Sequence, residues 1–311
     1  MTVTDYRPAE VEQVTPDRNA EDNLPVEQTL SIMTYNIGYG ANGPDYDFFM
    51  DGGAKSWGVS REAVQSNIQG ILSTLTDQAP DLMLIQEVDE RSTRSYSIDQ
   101  RSALQTAFPE YASLFAINYK VLFVPIPITQ PYGRVLGGIQ TLSRYRVEPE
   151  AQRLALSGDM GWPASLASLD RCLLVTRLPT ANGKHLVLIN AHLSAYDSGG
   201  KSRKLQLELL SRVASEAYAQ GDYVMIGGDW NHALPGTDPF AFATTEDWPD
   251  WLQPLPEDFA IEGFSWAVDA KVPTNRNTKT VYTPGENFRS VIDGFLVSDN
   301  IAVQSVANLD T

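Results

Sequence analysis

Short apolar runs that carry a polar residue at or near one end recur from one end of this chain to the other, and helical segments separate them. Leu30-Ser-Ile-Met-Thr-Tyr-Asn-Ile37, Asp81-Leu-Met-Leu-Ile-Gln-Glu87, His185-Leu-Val-Leu-Ile-Asn-Ala-His192, Tyr223-Val-Met-Ile-Gly-Gly-Asp229 and Val291-Ile-Asp-Gly-Phe-Leu-Val297 read as buried strands. Between them Ser60 can cap a helix whose Val64, Ile68, Ile71, Leu72 and Leu75 recur at helical spacing before Pro80 closes it. A second helix runs from about Asp99 to Ala107, and a third carries Leu205, Leu209, Val213 and Ala217 on one face. Interleaved strands and helices with no linker predict one α/β domain with sheet inside and helices outside.

The remaining segments are less regular. Tyr111 to Arg146, rich in β-branched residues, Pro and Gly, reads as strands with long loops. Arg171-Cys-Leu-Leu-Val-Thr176 joins the His185 run through Ala181-Asn-Gly183, a hairpin signal. Residues 235–284 hold seven prolines and three tryptophans, which predicts irregular loops packed on the body. Residues 1–28 are acidic and lack a hydrophobic period, so they read as an extended lead-in outside a domain spanning 29–311. Ile301 to Val306 reads as a further strand.

Composition excludes several classes. The 311 residues carry 23 Lys plus Arg against 39 Asp plus Glu, a net charge of −16, unlike a protein that blankets duplex phosphates with cations. A local positive site remains open, and a bound divalent cation could supply part of it. The single Cys172 excludes an intrachain disulfide framework and a thiolate zinc cluster. No apolar run is long enough to span a membrane and no signal peptide is evident, so the compartment is undetermined: cytoplasmic as written, extracytoplasmic if an anchor was removed. No P-loop, His-Glu-x-x-His or Gly-x-Ser-x-Gly motif occurs.

The chemistry collects where strands end, the usual place for ligands in open α/β sheets. Asn36, Glu87, His192, Asp229 with Asn231, and Asp293 share this placement. Each has a plain alternative. Asn36 fits a turn, Glu87 a solvated loop, His192 a satisfied structural histidine and Asp229 a capped turn. Their repetition is the signal. Asn36 and Glu87 supply the amide and carboxylate oxygens that a hard cation takes together with water. Gly227-Gly228 before Asp229 allows backbone or substrate to approach closely. His185 and His232 are assigned no role.

Taken together, Thr34-Tyr-Asn-Ile37, Ile85-Gln-Glu87, Asn190-Ala-His-Leu193, Gly228-Asp-Trp-Asn231 and Ile292-Asp-Gly-Phe-Leu-Val-Ser298 resemble the endonuclease/exonuclease/phosphatase superfamily, and a bacterial member of it. The resemblance covers residues 29–311. It implies a DNase I-like four-layer sandwich of two packed mixed β-sheets flanked by helices, with the site at one edge. It implies Mg²⁺-dependent cleavage of a phosphate ester, with Mn²⁺ or Ca²⁺ as alternatives, by attack of water. Asn36 and Glu87 match the metal end, and Asp229 the residue that orients or deprotonates the water. Asn231 matches a group that holds phosphate or nucleophile, and His192 a donor to a non-bridging oxygen. Arg171 corresponds to a phosphate-contacting Arg, and Asp293 to an Asp that orients a late histidine. Such members also carry a Ser-Asp-His segment, whereas this chain stops at Asn308-Leu-Asp-Thr311; truncation of a longer protein is the expectation, and activity of the chain as written is open.

The leading function is a phosphodiesterase or nuclease. The alternatives are a phosphatase or sphingomyelinase-like phospholipase on a lipid or sugar phosphate, and a non-catalytic binding module. The partner is a phosphate-ester substrate, nucleic acid or phospholipid/sugar phosphate, bound by a monomer with no obligate protein partner.

Overall fold

A computed structural model of the chain describes residues 6, 8–158, 169–197 and 200–310. Among these, eleven strands of four residues or more and three α-helices make up the regular structure. In chain order they are β1 (Val11–Val14), β2 (Ile32–Asn36), α1 (Arg61–Gln78), β3 (Leu82–Asp89), α2 (Gln100–Ala107), β4 (Ala112–Val124), β5 (Gly133–Ser143), β6 (Ala151–Ala155), β7 (Cys172–Pro179), β8 (His185–His192), α3 (Lys201–Ala219), β9 (Tyr223–Asp229), β10 (Phe264–Ala267) and β11 (Asp293–Ser298). The strands form two sheets, ordered β2–β3–β5–β4 and β1–β6–β7–β8–β9–β11–β10. Each contains one parallel pair, β2 with β3 and β8 with β9, and is otherwise antiparallel.

The period of two along β8 shows why the layers stack. Leu186 and Leu188 point inward and meet Leu82 and Leu84 of β3 and Leu114 of β4, so the two sheets share one apolar layer. Val187, Ile189 and Ala191 point outward and are covered by Leu207, Leu210 and Ala214 of α3. On the far side, Val64, Ile68, Ile71 and Leu75 of α1 and Leu104 of α2 cover Met83, Ile85 and Leu142. The result is the expected four-layer α/β sandwich. Local chemistry sets the helix ends: the Ser60 hydroxyl accepts from Ala63 N, Ala79 closes α1 in the left-handed region, and the Asp99 carboxylate caps α2 through Ser102 N. No helix among the described residues is long and apolar enough to cross a membrane.

Two stretches differ from expectation. The acidic lead-in is not wholly outside the sheet, because β1 pairs antiparallel with β6 and forms an edge. Arg18 then donates to the carbonyls of Gln105, Phe108 and Tyr111, and Leu24 is buried. Backbone pairing and one guanidinium hold the segment, and neither leaves a hydrophobic period. Ile301–Val306 is irregular rather than a strand, since β10 occupies the edge beside β11. Ile301 and Val306 pack against the layer between the sheets, and Asn308 is tied to Asp269. Residues 235–284 are largely irregular as expected, pinned by Trp248 and Trp251 against Phe288 and Ile292, and by Trp266 edge-on to Trp230.

Candidate active site

The parallel register of β8 and β9 places His192 directly opposite Asp229, each the last residue of its strand. The antiparallel register of β9 and β11 places Asp293 opposite Asp229 from the other side. Asp293 therefore opens its strand rather than ending it, and it reaches the same edge because β11 runs the other way. In the smaller sheet β2 ends at Asn36, beside Gln86 of β3. Glu87 sits in a bulge between Ile85 and Val88 with φ of +54°, a kink that frees its carboxylate from the ladder.

These residues, drawn from both sheets, meet. The Asn36 amide nitrogen donates to Asp229 Oδ2 at 2.8 Å and to Glu87 Oε1 at 3.3 Å. His192 Nε2 lies 3.6 Å from Asp229 Oδ2 and 3.8 Å from Glu87 Oε1. Asp229 Oδ1 accepts from Asn231 N at 2.8 Å, and Asn231, at φ of +49°, donates its amide to the Leu193 carbonyl. Arg171, just before β7, donates to the His192 carbonyl at 3.3 Å, and its charge reaches Asp229 and Glu87. Every residue singled out from the sequence is thus at this edge. His185 lies at the opposite end of β8 against Asp222, and His232 Nδ1 is 2.6 Å from the Trp230 carbonyl.

The glycine pair brings strands together rather than admitting substrate. A Cβ on Gly227 would meet Phe295 at 2.6 Å and Leu84 at 2.7 Å. One on Gly228, whose φ is +150°, would lie 1.9 Å from the Ala191 carbonyl oxygen.

Charge at the edge is unbalanced. Burial pushes the Asp229 carboxyl up to about 6, with Glu87 adding to the shift while the Asn36 and Asn231 donors and Arg171 oppose it. Burial, and then the neighbouring Asp229 charge, raises Asp293 well above the usual carboxylate range. Burial, reinforced by Arg171, holds His192 well below its ordinary value, so its imidazole is neutral. Asp293 Oδ1 and His192 Nδ1 are buried without a hydrogen-bond partner.

Sequence reasoning missed two sets of residues. Beneath the site, Gln86 Nε2 donates to Asn190 Oδ1 at 2.8 Å, and Asn190 Nδ2 donates to the Gln140 carbonyl at 3.1 Å. This buried link clamps the two sheets one residue from Glu87 and two from His192. Both amides lie inside the quoted motifs, and their polarity within apolar runs was the available signal. At the rim, the Tyr196 hydroxyl donates to Asp51, which also accepts from the Thr278 hydroxyl. Tyr196 feels the charges of Glu87 and Arg171. These three come from separate loops and carry no local pattern.

The residues fit a hard divalent ion. Three carboxylates face one guanidinium, and Glu87, a quarter exposed, has one long hydrogen bond from Asn36 and lies 3.8 Å from His192 Nε2. Among the described residues no group of three or more His, Cys, Asp or Glu is spaced to enclose an ion. A metal held mainly by Glu87 and the Asn36 amide would keep most of its waters, as Mg²⁺ does.

Comparison with known proteins agrees on family and fold. Residues 33–311 match the model of the Endonuclease/Exonuclease/phosphatase family. No curated protein matches the sequence significantly. The fold is similar to that of an endonuclease/exonuclease/phosphatase from Beutenbergia cavernae, at 16% identity and a TM-score of 0.51, covering 86% of this chain and 70% of that one. It is similar to truncated TDP2 of Caenorhabditis elegans at 16% identity and TM-score 0.50, covering 86% and 83%. It is also similar to ANGEL2, a 2′,3′-cyclic phosphatase, at 14% identity and TM-score 0.54, covering 94% and 86%. With nine-tenths of its length matched, the chain belongs to the Endonuclease/Exonuclease/phosphatase family.

Proposed function

We propose that the chain is a divalent-metal-dependent hydrolase of phosphate esters, a phosphodiesterase or nuclease in kind, that works by attack of water. The observation that carries this reading is the junction at Asn36, whose one amide nitrogen bridges Glu87 from its own sheet and Asp229 from the other. Family membership supports the reaction class.

Glu87 and Asn36 would hold Mg²⁺, or Mn²⁺ or Ca²⁺ in its place; when bound, the ion neutralises a phosphoryl oxygen and can stabilise the leaving group. The protein does the rest by position. Two donors, Asn36 Nδ2 and Asn231 N, fix the plane of the Asp229 carboxylate, leaving lone pairs to orient a water and accept its proton. His192 is neutral and has two carboxylates near Nε2, so the ring proton belongs there. That Nε2–H would donate to a non-bridging oxygen as charge grows on it. Arg171 adds a fixed positive charge, and Asn231 braces the turn that carries Asp229. Asp293 keeps an unpartnered buried carboxyl oxygen beside Asp229.

Hydrolysis of bis(p-nitrophenyl) phosphate tests the reading. Turnover that requires Mg²⁺, is abolished by EDTA and is lost in Asp229→Ala supports it. Metal-independent turnover removes the metal half. No turnover of any diester or monoester at any metal level leaves a binding module that retains the fold.

A further inference from the structure

The loop joining β4 to β5 has no role in the site, yet it is the most exposed apolar segment described. Leu122, Phe123, Ile126 and Ile128 expose 55, 60, 54 and 89% of their surface. Scattered apolar side chains need no explanation, but four within seven residues on one protrusion do. They are surplus to the fold, because the hairpin is anchored below them by Val121, Val124, Tyr132 and Val135.

The loop rises at the edge where the site opens. Lys120 pairs with Leu136, Gly137 lies opposite Asp89, and residues 121–132 continue past the end of β3 that carries Glu87. Its base is tied to the rim. Ser56 Oγ donates to the Gln130 carbonyl at 2.6 Å and Trp57 Nε1 to the Pro131 carbonyl at 2.8 Å. Phe49 of the same segment packs on Tyr132, and Asp51, two residues on, accepts from Tyr196.

We infer that this tip is a docking loop for a lipid surface, and that it sets the site against phosphate esters carried there. Leu122 and Phe123 sit in the bulge where the β4–β5 register shifts between the buried Val121 and Val124, and both are bare. Two observations select a bilayer over a protein partner. Pro125, Pro127 and Pro131 carry no backbone donor, and the Gln130 and Tyr132 N–H groups are bonded within the loop, which lowers the cost of entering an apolar medium. Charge completes the match. In a chain of net charge −16, residues 111–147 contain no Asp or Glu, while Lys120 and Arg134 flank the tip as exposed cations suited to anionic headgroups. Lys120 Nζ lies 5.1 Å from the Tyr6 ring.

The docking half stands on the loop alone; the substrate half rests on the proposed hydrolase reading. Cosedimentation of the whole chain with vesicles of phosphatidylcholine mixed with phosphatidylserine tests the first. The wild type is expected to bind, and Phe123→Ser combined with Ile128→Ser to bind at least about tenfold more weakly. Hydrolysis of soluble bis(p-nitrophenyl) phosphate and the melting temperature should not change in that variant. Its hydrolysis of a vesicle-borne phosphodiester should fall with binding. No vesicle binding by the wild type, or equal binding by the variant, overturns the proposal. Concentration-dependent dimerisation that the same variant abolishes also overturns it, because the tip then meets a second copy. Vesicle binding without hydrolysis of any ester leaves the docking loop standing and removes the hydrolase reading instead.

Discussion

Glu87 and Asp89 lie two residues apart on one strand, and their surroundings are opposite. Asp89 has no solvent exposure and is fully satisfied. Arg94 grips it with Nε at 3.0 Å and Nη2 at 2.9 Å, and the Ser95 hydroxyl adds a bond at 2.8 Å. Arg94 in turn donates to the Tyr132 hydroxyl at 2.6 Å and stacks 3.7 Å from the Tyr39 ring centroid. Glu87 has one long amide contact, with further carboxylates close by. A satisfied carboxylate holds the molecule together; a crowded, under-bonded one is available for chemistry. Opposite responses to mutation are therefore expected at the two places.

The largest effect is expected at Asp229. Asp229→Asn should lower diester turnover on the order of 10³-fold, while the melting temperature stays level or rises because a buried, mutually repelled charge is gone. A large loss of stability would place Asp229 with Asp89 instead. Arg94→Met should do the reverse, destabilising by about 3–5 kcal/mol in urea unfolding by leaving Asp89 buried and unpaired. Adding Asp89→Leu should recover much of that loss; failure to recover would mean that the aromatic stack, not the ion pair, carries the cluster. His192→Ala should cost on the order of 10² in turnover against none for His185→Ala, and equal losses would remove the role given to His192. The smallest effect is the metal's. At roughly tenfold its dissociation constant, Mg²⁺ should raise unfolding stability by about 1.4 kcal/mol. Glu87→Gln should weaken that gain and leave the apo melting point unchanged. Asp89→Asn, by contrast, should lower the apo melting point.

Asn36, Glu87, His192 and Asp229 were legible because a polar residue at or near the end of an apolar run is a local signal, repeated four times, and Asp293 because it interrupts the last run near its start. That Glu87 and Asp89 differ was not legible, since Arg94 and Tyr132 arrive through an ion pair and a hairpin that no period marks. Asp51 and Tyr196 are 145 positions apart and joined only by loops. The layers followed from alternation along strands such as β8, where inward and outward leucine and valine positions can be counted. Strand β1 did not, because main-chain pairing at an edge needs no side-chain pattern. Ile301–Val306 shows the converse, a strand-like run that packs by its side chains and joins no sheet. The Leu122–Ile128 loop was readable as apolar, but only the fold shows that it faces outward.

Gly228 has a consequence for how tolerant the site is to change. With the Ala191 carbonyl where a methyl group would go, β8 and β9 press together at their tips through bare main chain. The interval between the imidazole and its acid is then a dimension of the scaffold, not of the residues that decorate it. Neighbouring side chains can be exchanged without resetting it, whereas a single added carbon at 228 would pry the pair apart.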